Sequence, residues 1–221
     1  MKSIYYLRYF FFIAYHWNPR LAWFTIRHEI RGEKKYSINT TRLDNLEKHS
    51  LKGSPGDAES YQGANYFLLE HVFEKMDLLH RNNHIVDFGC GKGRVLAVAA
   101  FYSFNTITGV EFSKELCREA KKTIIRIQEK FPRKRFSIIH ANAVDYVIED
   151  NANVFFFFNP FNEKIMLAVV KNILLSLKNR KRKVYVLYLN PVHKEIFLSA
   201  GFEEKYHFEK LRYIEASILV L

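Results

Sequence analysis

The chain is poor in the residues that staple small or secreted folds. It has two cysteines, Cys90 and Cys117, in 221 residues. Two cysteines cannot build a disulfide framework, and no CxxC pair or Cys/His cluster offers zinc ligands. No metal site is expected, and a reducing, cytoplasmic setting is. Five prolines and nine glycines are too few for a collagenous or low-complexity chain. Long apolar runs are missing too. Across residues 4–26 (IYYLRYFFFIAYHWNPRLAWFTI), Arg8 and Arg20 leave eleven uncharged residues between them, with His16 and Pro19 inside that window. A membrane-spanning helix needs about 20 apolar residues. A signal peptide would be followed by a small-residue cleavage site, which this stretch lacks. Neither is expected. Acid excess is absent as well: 34 Lys and Arg against 23 Asp and Glu give +11. The surplus is spread along the chain rather than gathered in a tail, and such a field suits acidic partners or anionic surfaces.

What the chain does hold is an ordinary globular share of hydrophobic (48%) and charged (26%) residues, enough for one domain with an extension. Aromatics are abundant, with 20 Phe, 13 Tyr and 2 Trp, and many crowd into residues 4–26. That segment reads as helices that pack on the main domain or on a second copy. An interfacial helix, aromatics at headgroup level and basic residues on the polar side, is the alternative. Asn18-Pro19 divides it, because the residue before proline disfavours helical backbone. Residues 31–35 (RGEKK) read as a polar turn, and residues 41–44 (TRLD) as a helix start with a hydroxyl cap and an acid three positions on. Residues 52–57 (KGSPGD) form the most loop-like stretch. The boundary falls there: an aromatic-rich helical extension over residues 1–52 and the main domain over residues 53–221.

In the main domain the patterns alternate. Apolar positions from Tyr66 to Leu79 repeat at helical spacing. Residues 84–88 (HIVDF) are a β run, residues 89–93 (GCGKG) a glycine loop, and residues 94–100 (RVLAVAA) a helix. Glycines at a strand-to-helix turn allow close backbone approach to a ligand, and the helix start offers N–H groups and positive dipole. The dinucleotide fingerprint G-x-G-x-x-G/A is not met, since Arg94 follows Gly93 where the fold wants close helix–strand contact. An NAD or FAD site is therefore disfavoured. The next strand, residues 106–111 (TITGVE), ends in Glu111, 18 positions after Gly93. A carboxylate there can accept two hydrogen bonds from a ribose diol.

VDFGCGKG (residues 86–93) resembles motif I, (D/E)xGxGxG, of the class I S-adenosylmethionine (SAM)-dependent methyltransferases. VEFS (residues 110–113) is similar to their motif II. The resemblance covers roughly residues 60–221. It implies an α/β fold with a doubly wound, mostly parallel seven-stranded sheet behind the N-terminal extension. It implies SAM as cofactor, held by Asp87, Gly89, Cys90, Gly91 and Gly93, by Glu111 and Phe112 at the ribose, and by Asn142 and Ala143 at the adenine. The family often carries Asp-Ala at that last position; an Asn carbonyl accepts the same bond.

The remaining strands fit that register: residues 135–140, 153–158 and 184–189, then 202–211 and 213–221 as a closing hairpin. Residues 164–177 and 192–200 read as helices. The basic run over residues 178–183 (KNRKRK) reads as a solvated turn, since no aromatics are interleaved for base stacking. Residues 153–158 (NVFFFF) suit a central strand buried on both faces. They lead into Asn159-Pro160-Phe161, which resembles motif IV of the amino-methyltransferases, (N/D/S)-P-P-(Y/F), without the second proline. The resemblance implies that Asn159 and a nearby carbonyl hold the target amine near SAM while Phe161 stacks on it. Tyr61 and Tyr66 lie in the stretch that folds over the cofactor in that fold, and Tyr61 is the candidate to touch the methyl or its acceptor. The layout is also similar to some non-SET protein lysine methyltransferases, so a protein amine is the favoured acceptor. Nucleic acid or a small molecule as acceptor, a non-catalytic SAM-binding module, peripheral membrane contact through residues 4–26 and a homo-oligomer stay open.

Overall fold

The structure, a computed structural model, describes residues 2–41, 63–79, 83–158 and 161–221. Two helices open the chain: α1 (Lys2–His16) and α2 (Pro19–Tyr36). The break between them has a capped start. Asn18 adopts extended backbone, its side chain accepts the Leu21 N–H at 2.8 Å, and Pro19 takes the first helical position, where its missing N–H costs nothing.

Residues 31–35, expected as a turn, are instead the last turns of α2. The glycine there serves packing. A Cβ on Gly32 would sit 2.2 Å from the Tyr66 ring, so this position lets the aromatic ring lie against the helix backbone. The helix ends at Tyr36, where Ser37 turns left-handed (φ 57°) and returns its N–H to Glu33 O. The proposed helix start at residues 41–44 and the domain boundary after residue 52 lie outside the described residues, except Thr41, which is irregular.

The main domain then runs α3 (Tyr66–Leu79), β1 (Asn83–Phe88), α4 (Arg94–Ala99), β2 (Phe104–Glu111), α5 (Lys114–Lys130), β3 (Arg135–His140), a 3-10 turn (Ala143–Asp145), β4 (Val154–Phe158), α6 (Glu163–Asn179), β5 (Tyr185–Leu189), α7 (Lys194–Ser199), β6 (Glu203–Lys210) and β7 (Ile214–Val220). The seven strands lie in the order β3-β2-β1-β4-β5-β7-β6. Only β7 is antiparallel to its neighbours, so the expected closing hairpin is present. Its turn is tight: Leu211 and Arg212 both take positive φ. β1, β4 and β5 are buried along nearly their whole length, which is why β4 and β5 read as continuous apolar runs.

Buried side chains form two clusters, one on each face of the sheet. One holds Val86, Phe88, Phe155 and Phe157 under α6 and α7. The other holds Ile85, Phe104 and Phe156 with α3 and α4, and Ile13, Leu21, Ala22 and Tyr36 from the N-terminal helices belong to it. The aromatic extension thus packs on the main domain. Chain order reverses between β1 and β4, and the crevice beyond the carboxyl ends of those strands is where such sheets take ligands.

Candidate functional site

The loop after β1 explains why glycine alternates there. Gly89, Gly91 and Gly93 have φ of 80°, 53° and 77°, a left-handed region that side chains with a Cβ avoid. The N–H groups of Gly89 and Cys90 both donate to Val110 O, at 2.9 and 3.1 Å, which pins the loop to the end of β2. Gly93 also meets α5: a Cβ there would press on Ala120 at 3.3 Å. The Cys90 side chain is buried against Gly109 of β2, where a Cβ would collide with its sulfur at 2.6 Å.

Glu111 ends β2 as a buried acid, not an exposed one. Its carboxylate accepts the Gly91 N–H at 2.9 Å and the Ser113 N–H at 2.8 Å. Burial raises this carboxyl above the usual carboxylate range, and those backbone donors pull it back. Asp87 is buried two residues before the first of the glycines, and among the described residues its Oδ2 has no hydrogen-bond partner. Burial first, and the nearby Glu111 charge second, push its carboxyl well above the ordinary Asp value. Two buried acids beside one loop are costly unless a cation joins them. SAM carries an ammonium and a sulfonium, so the donor set suits it. Phe112, next to Glu111, is 55% exposed and offers an aromatic surface at the crevice. Asn142 accepts the Val144 N–H at 3.3 Å as cap of the 3-10 turn, and its carbonyl keeps a second lone pair for a ligand. Ala143 is buried beneath it.

The other expected residues fall differently. Asn159, Pro160 and Tyr61 lie outside the described residues. Phe161 is half-buried against the cluster under α6, and the next residue, Asn162, caps α6 by accepting the Ile165 N–H at 3.1 Å. Tyr66 is fully buried, stacked on Tyr36 with ring centroids 5.9 Å apart; it packs under the helix and does not reach an acceptor. In the basic run, Arg182 is half-buried and holds Ala152 O, Arg180 O and Ser176 O. That residue staples the α6–β5 turn, while its neighbours Lys181 and Lys183 are solvated as expected.

Arg94 has a role that sequence reasoning missed. It does not wedge between helix and strand. Only 3% exposed, it leaves the glycine loop towards the N-terminal helices. Its guanidinium donates to Glu29 Oε1 (3.0 Å), Ala64 O (2.8 Å), Thr40 Oγ1 (2.8 Å) and Thr41 Oγ1 (2.9 Å), and pairs with Glu29 Oε2 at 2.9 Å. It lies 4.3 Å over the Tyr66 ring, and Gly63 leaves it room: a Cβ there would sit 2.6 Å from its Cζ. Glu33, one turn from Glu29, accepts the N–H groups of Thr40 and Thr41 and the Tyr6 hydroxyl. So Glu29 of α2 and residues Thr40 and Thr41 are bonded to the first residue of α4, directly behind the loop, and α1 joins them through Tyr6 on Glu33. The signal in the sequence was the pair Glu29 and Glu33, four apart on an otherwise aromatic and basic helix.

Among the described residues no cluster of His, Cys, Asp and Glu could hold a metal ion. Residues 86–163 match the family model described as a methyltransferase domain. No curated protein matches the chain. Its fold is similar to that of the Pyrococcus abyssi tRNA (uracil-54, C5)-methyltransferase in complex with S-adenosyl-L-homocysteine, at 13% identity and a TM-score of 0.50, over 73% of this chain and 40% of that one. The chain therefore spans less than half the length of that enzyme. It is also similar to the ribosomal protein L11 methylase of Lactobacillus delbrueckii subsp. bulgaricus (14% identity, TM-score 0.51, 75% and 82% covered). A SAM-dependent methyltransferase from Aquifex aeolicus gives 14% identity and a TM-score of 0.51, over 69% of this chain and 88% of that one.

Proposed function

We propose that this chain carries a class I SAM-dependent methyltransferase domain and moves the methyl group of SAM to an acceptor nitrogen, a protein lysine or another amine. The observation that carries the reading is the pair of buried carboxyls, Asp87 with an Oδ2 that has no partner among the described residues and Glu111 on the Gly91 N–H, beside a left-handed glycine loop at the reversal of strand order. Asp87 and the loop would hold the methionine part, Glu111 and Phe112 the ribose, and Asn142 with Ala143 the adenine. When bound, SAM supplies a methyl already activated by its sulfonium.

The chain's own task is then to position the acceptor. Asn159-Pro160-Phe161 follows β4 directly, and β4 is the neighbour of β1 across the reversal. In our reading the Asn159 side chain accepts a hydrogen bond from the amine, which turns the nitrogen lone pair towards the methyl. Alignment of this kind can supply several kcal/mol of a barrier. A lysine must be neutral to react, and desolvation lowers its pKa, so an acceptor channel lined by aromatics suits it. No strong general base is required at this corner.

Asn159→Ala is expected to leave SAM affinity within about twofold and to lower methyl transfer at least about tenfold, the effect of a misaligned acceptor. Transfer of labelled methyl from SAM to lysine-containing peptides and small amines, beside calorimetric SAM titration, checks it. Unchanged turnover would reduce Asn159 to a strand end. Label found only in RNA or on carbon or oxygen would overturn the nitrogen acceptor.

A further inference from the structure

The outer face of the N-terminal helix pair serves neither the core nor the crevice. At 100° per residue, Ile4, Leu7, Phe11, Phe12 and Tyr15 of α1 fall in one arc about 140° wide, which also holds the exposed Arg8. All five are 51–86% exposed, while Ile13 on the opposite side is buried in the core. The helices run antiparallel: residues 17–18 join them at one end, and Tyr6 bonds Glu33 at the other. On α2, Trp23 and Ile30 are exposed at 66% and 47%. They alternate with Arg20, Arg27 and Lys34, and with Arg31, whose guanidinium lies 3.9 Å from the buried Glu70 carboxylate of α3; all four are exposed. The carboxylates of residues 4–41 are Glu29 and Glu33, both buried and bonded inward. Every exposed side-chain charge on this face is therefore cationic.

We propose that this face docks on an anionic lipid surface, lying in the interface with its aromatics at headgroup level. Monomeric proteins rarely leave so many large apolar side chains together in water. Aromatic and aliphatic residues beside Arg and Lys, with no exposed acid, match what an anionic interface attracts. Spanning is excluded by length. α1 has 15 residues, about 22 Å at 1.5 Å each, short of the roughly 30 Å hydrocarbon core. No helix among the described residues is long and apolar enough to cross a membrane. Charge complementarity also decides against a second copy, whose matching face would bring like charges together. The bonds from Glu29 and Thr41 to Arg94 put the docked helices directly behind the glycine loop.

The test is co-sedimentation of the full chain with vesicles of phosphatidylcholine alone and of phosphatidylcholine mixed with phosphatidylglycerol. Binding to the mixed vesicles is expected to exceed binding to the neutral ones and to fall as salt rises. The double variant Phe11→Ser/Trp23→Ser should weaken it roughly tenfold or more, since each change removes buried apolar area. Arg20→Gln/Arg27→Gln should erase the preference for anionic lipid. Both variants change exposed residues, so melting temperature and the stabilisation by SAM should match the parent; those two readings separate this claim from the methyltransferase one. Equal binding to both vesicles, no binding to either, or a dimer that the Phe11→Ser/Trp23→Ser variant dissociates would overturn it.

Discussion

Arg94→Leu is expected to lower the melting temperature by roughly 6–20 °C. The change leaves the Glu29 carboxylate buried and unpaired, a loss of about 3–5 kcal/mol, and a domain of this size loses about 2–4 °C per kcal/mol. Burial already raises the Glu29 carboxyl, and Arg94 and Thr41 oppose that rise; without the guanidinium the Thr41 hydroxyl opposes it alone. A second variant separates the lone charge from the lost packing. Arg94→Met/Glu29→Leu removes both charges and should recover much of the loss, because a buried pair is worth little more than apolar residues of the same volume. Thermal unfolding of the parent and both variants checks this. If the single variant melts with the parent, the N-terminal helices do not depend on this network.

The second large effect has opposite signs for stability and for binding. Asp87→Asn keeps the side-chain shape and removes an ionisable group whose Oδ2 has no hydrogen-bond partner among the described residues. Relief of that desolvation is worth about 1–3 kcal/mol, so the free variant should melt above the parent at neutral pH. The sign follows from the raised carboxyl. In the unfolded chain Asp87 ionises near its ordinary value, in the folded chain well above it. Between the two the folded state holds a proton the unfolded state has lost, so parent stability falls as pH rises through that window. The advantage of the variant should vanish in acid, below the ordinary Asp value, and grow above it. SAM binding should weaken roughly 10- to 150-fold, the range for a lost bond to a charged group. Glu111→Ala should weaken it at least about tenfold, since the Gly91 and Ser113 N–H groups lose their acceptor as well. Because the cation favours ionised Asp87, the parent should release protons on binding, seen as calorimetric heats that change with buffer ionisation enthalpy. Buffer-independent heats, or full affinity in both variants, would contradict the roles given to these acids.

Local pattern made most of the main domain legible. Tyr66–Leu79 and Arg135–His140 lie where spacing puts them, and the apolar run 153–158 is a central strand because both its faces are covered. The glycine alternation predicts a ligand loop, and left-handed backbone at every second residue, Gly89, Gly91 and Gly93, is its cause. What could not be read depends on contacts distant in sequence. Gly32 looks like a turn residue, yet it sits in a helix because Tyr66 occupies the space of its Cβ. Arg94 looked like an obstacle to close packing, yet its partners Glu29, Thr40 and Thr41 come from residues more than fifty positions earlier. Tyr66 lies in a stretch that the resemblance folds over the cofactor, yet burial under Arg94 gives it to the core.

The central claim is a SAM site at the glycine loop, and thermal unfolding with SAM, S-adenosylhomocysteine and NADH side by side tests it most directly. A ligand at 100 times its dissociation constant adds about 2.7 kcal/mol, which is roughly 5–10 °C for a domain of this size. The account predicts a shift of that order with SAM and with S-adenosylhomocysteine and none with NADH. A shift with NADH alone, or with none of the three, would contradict it.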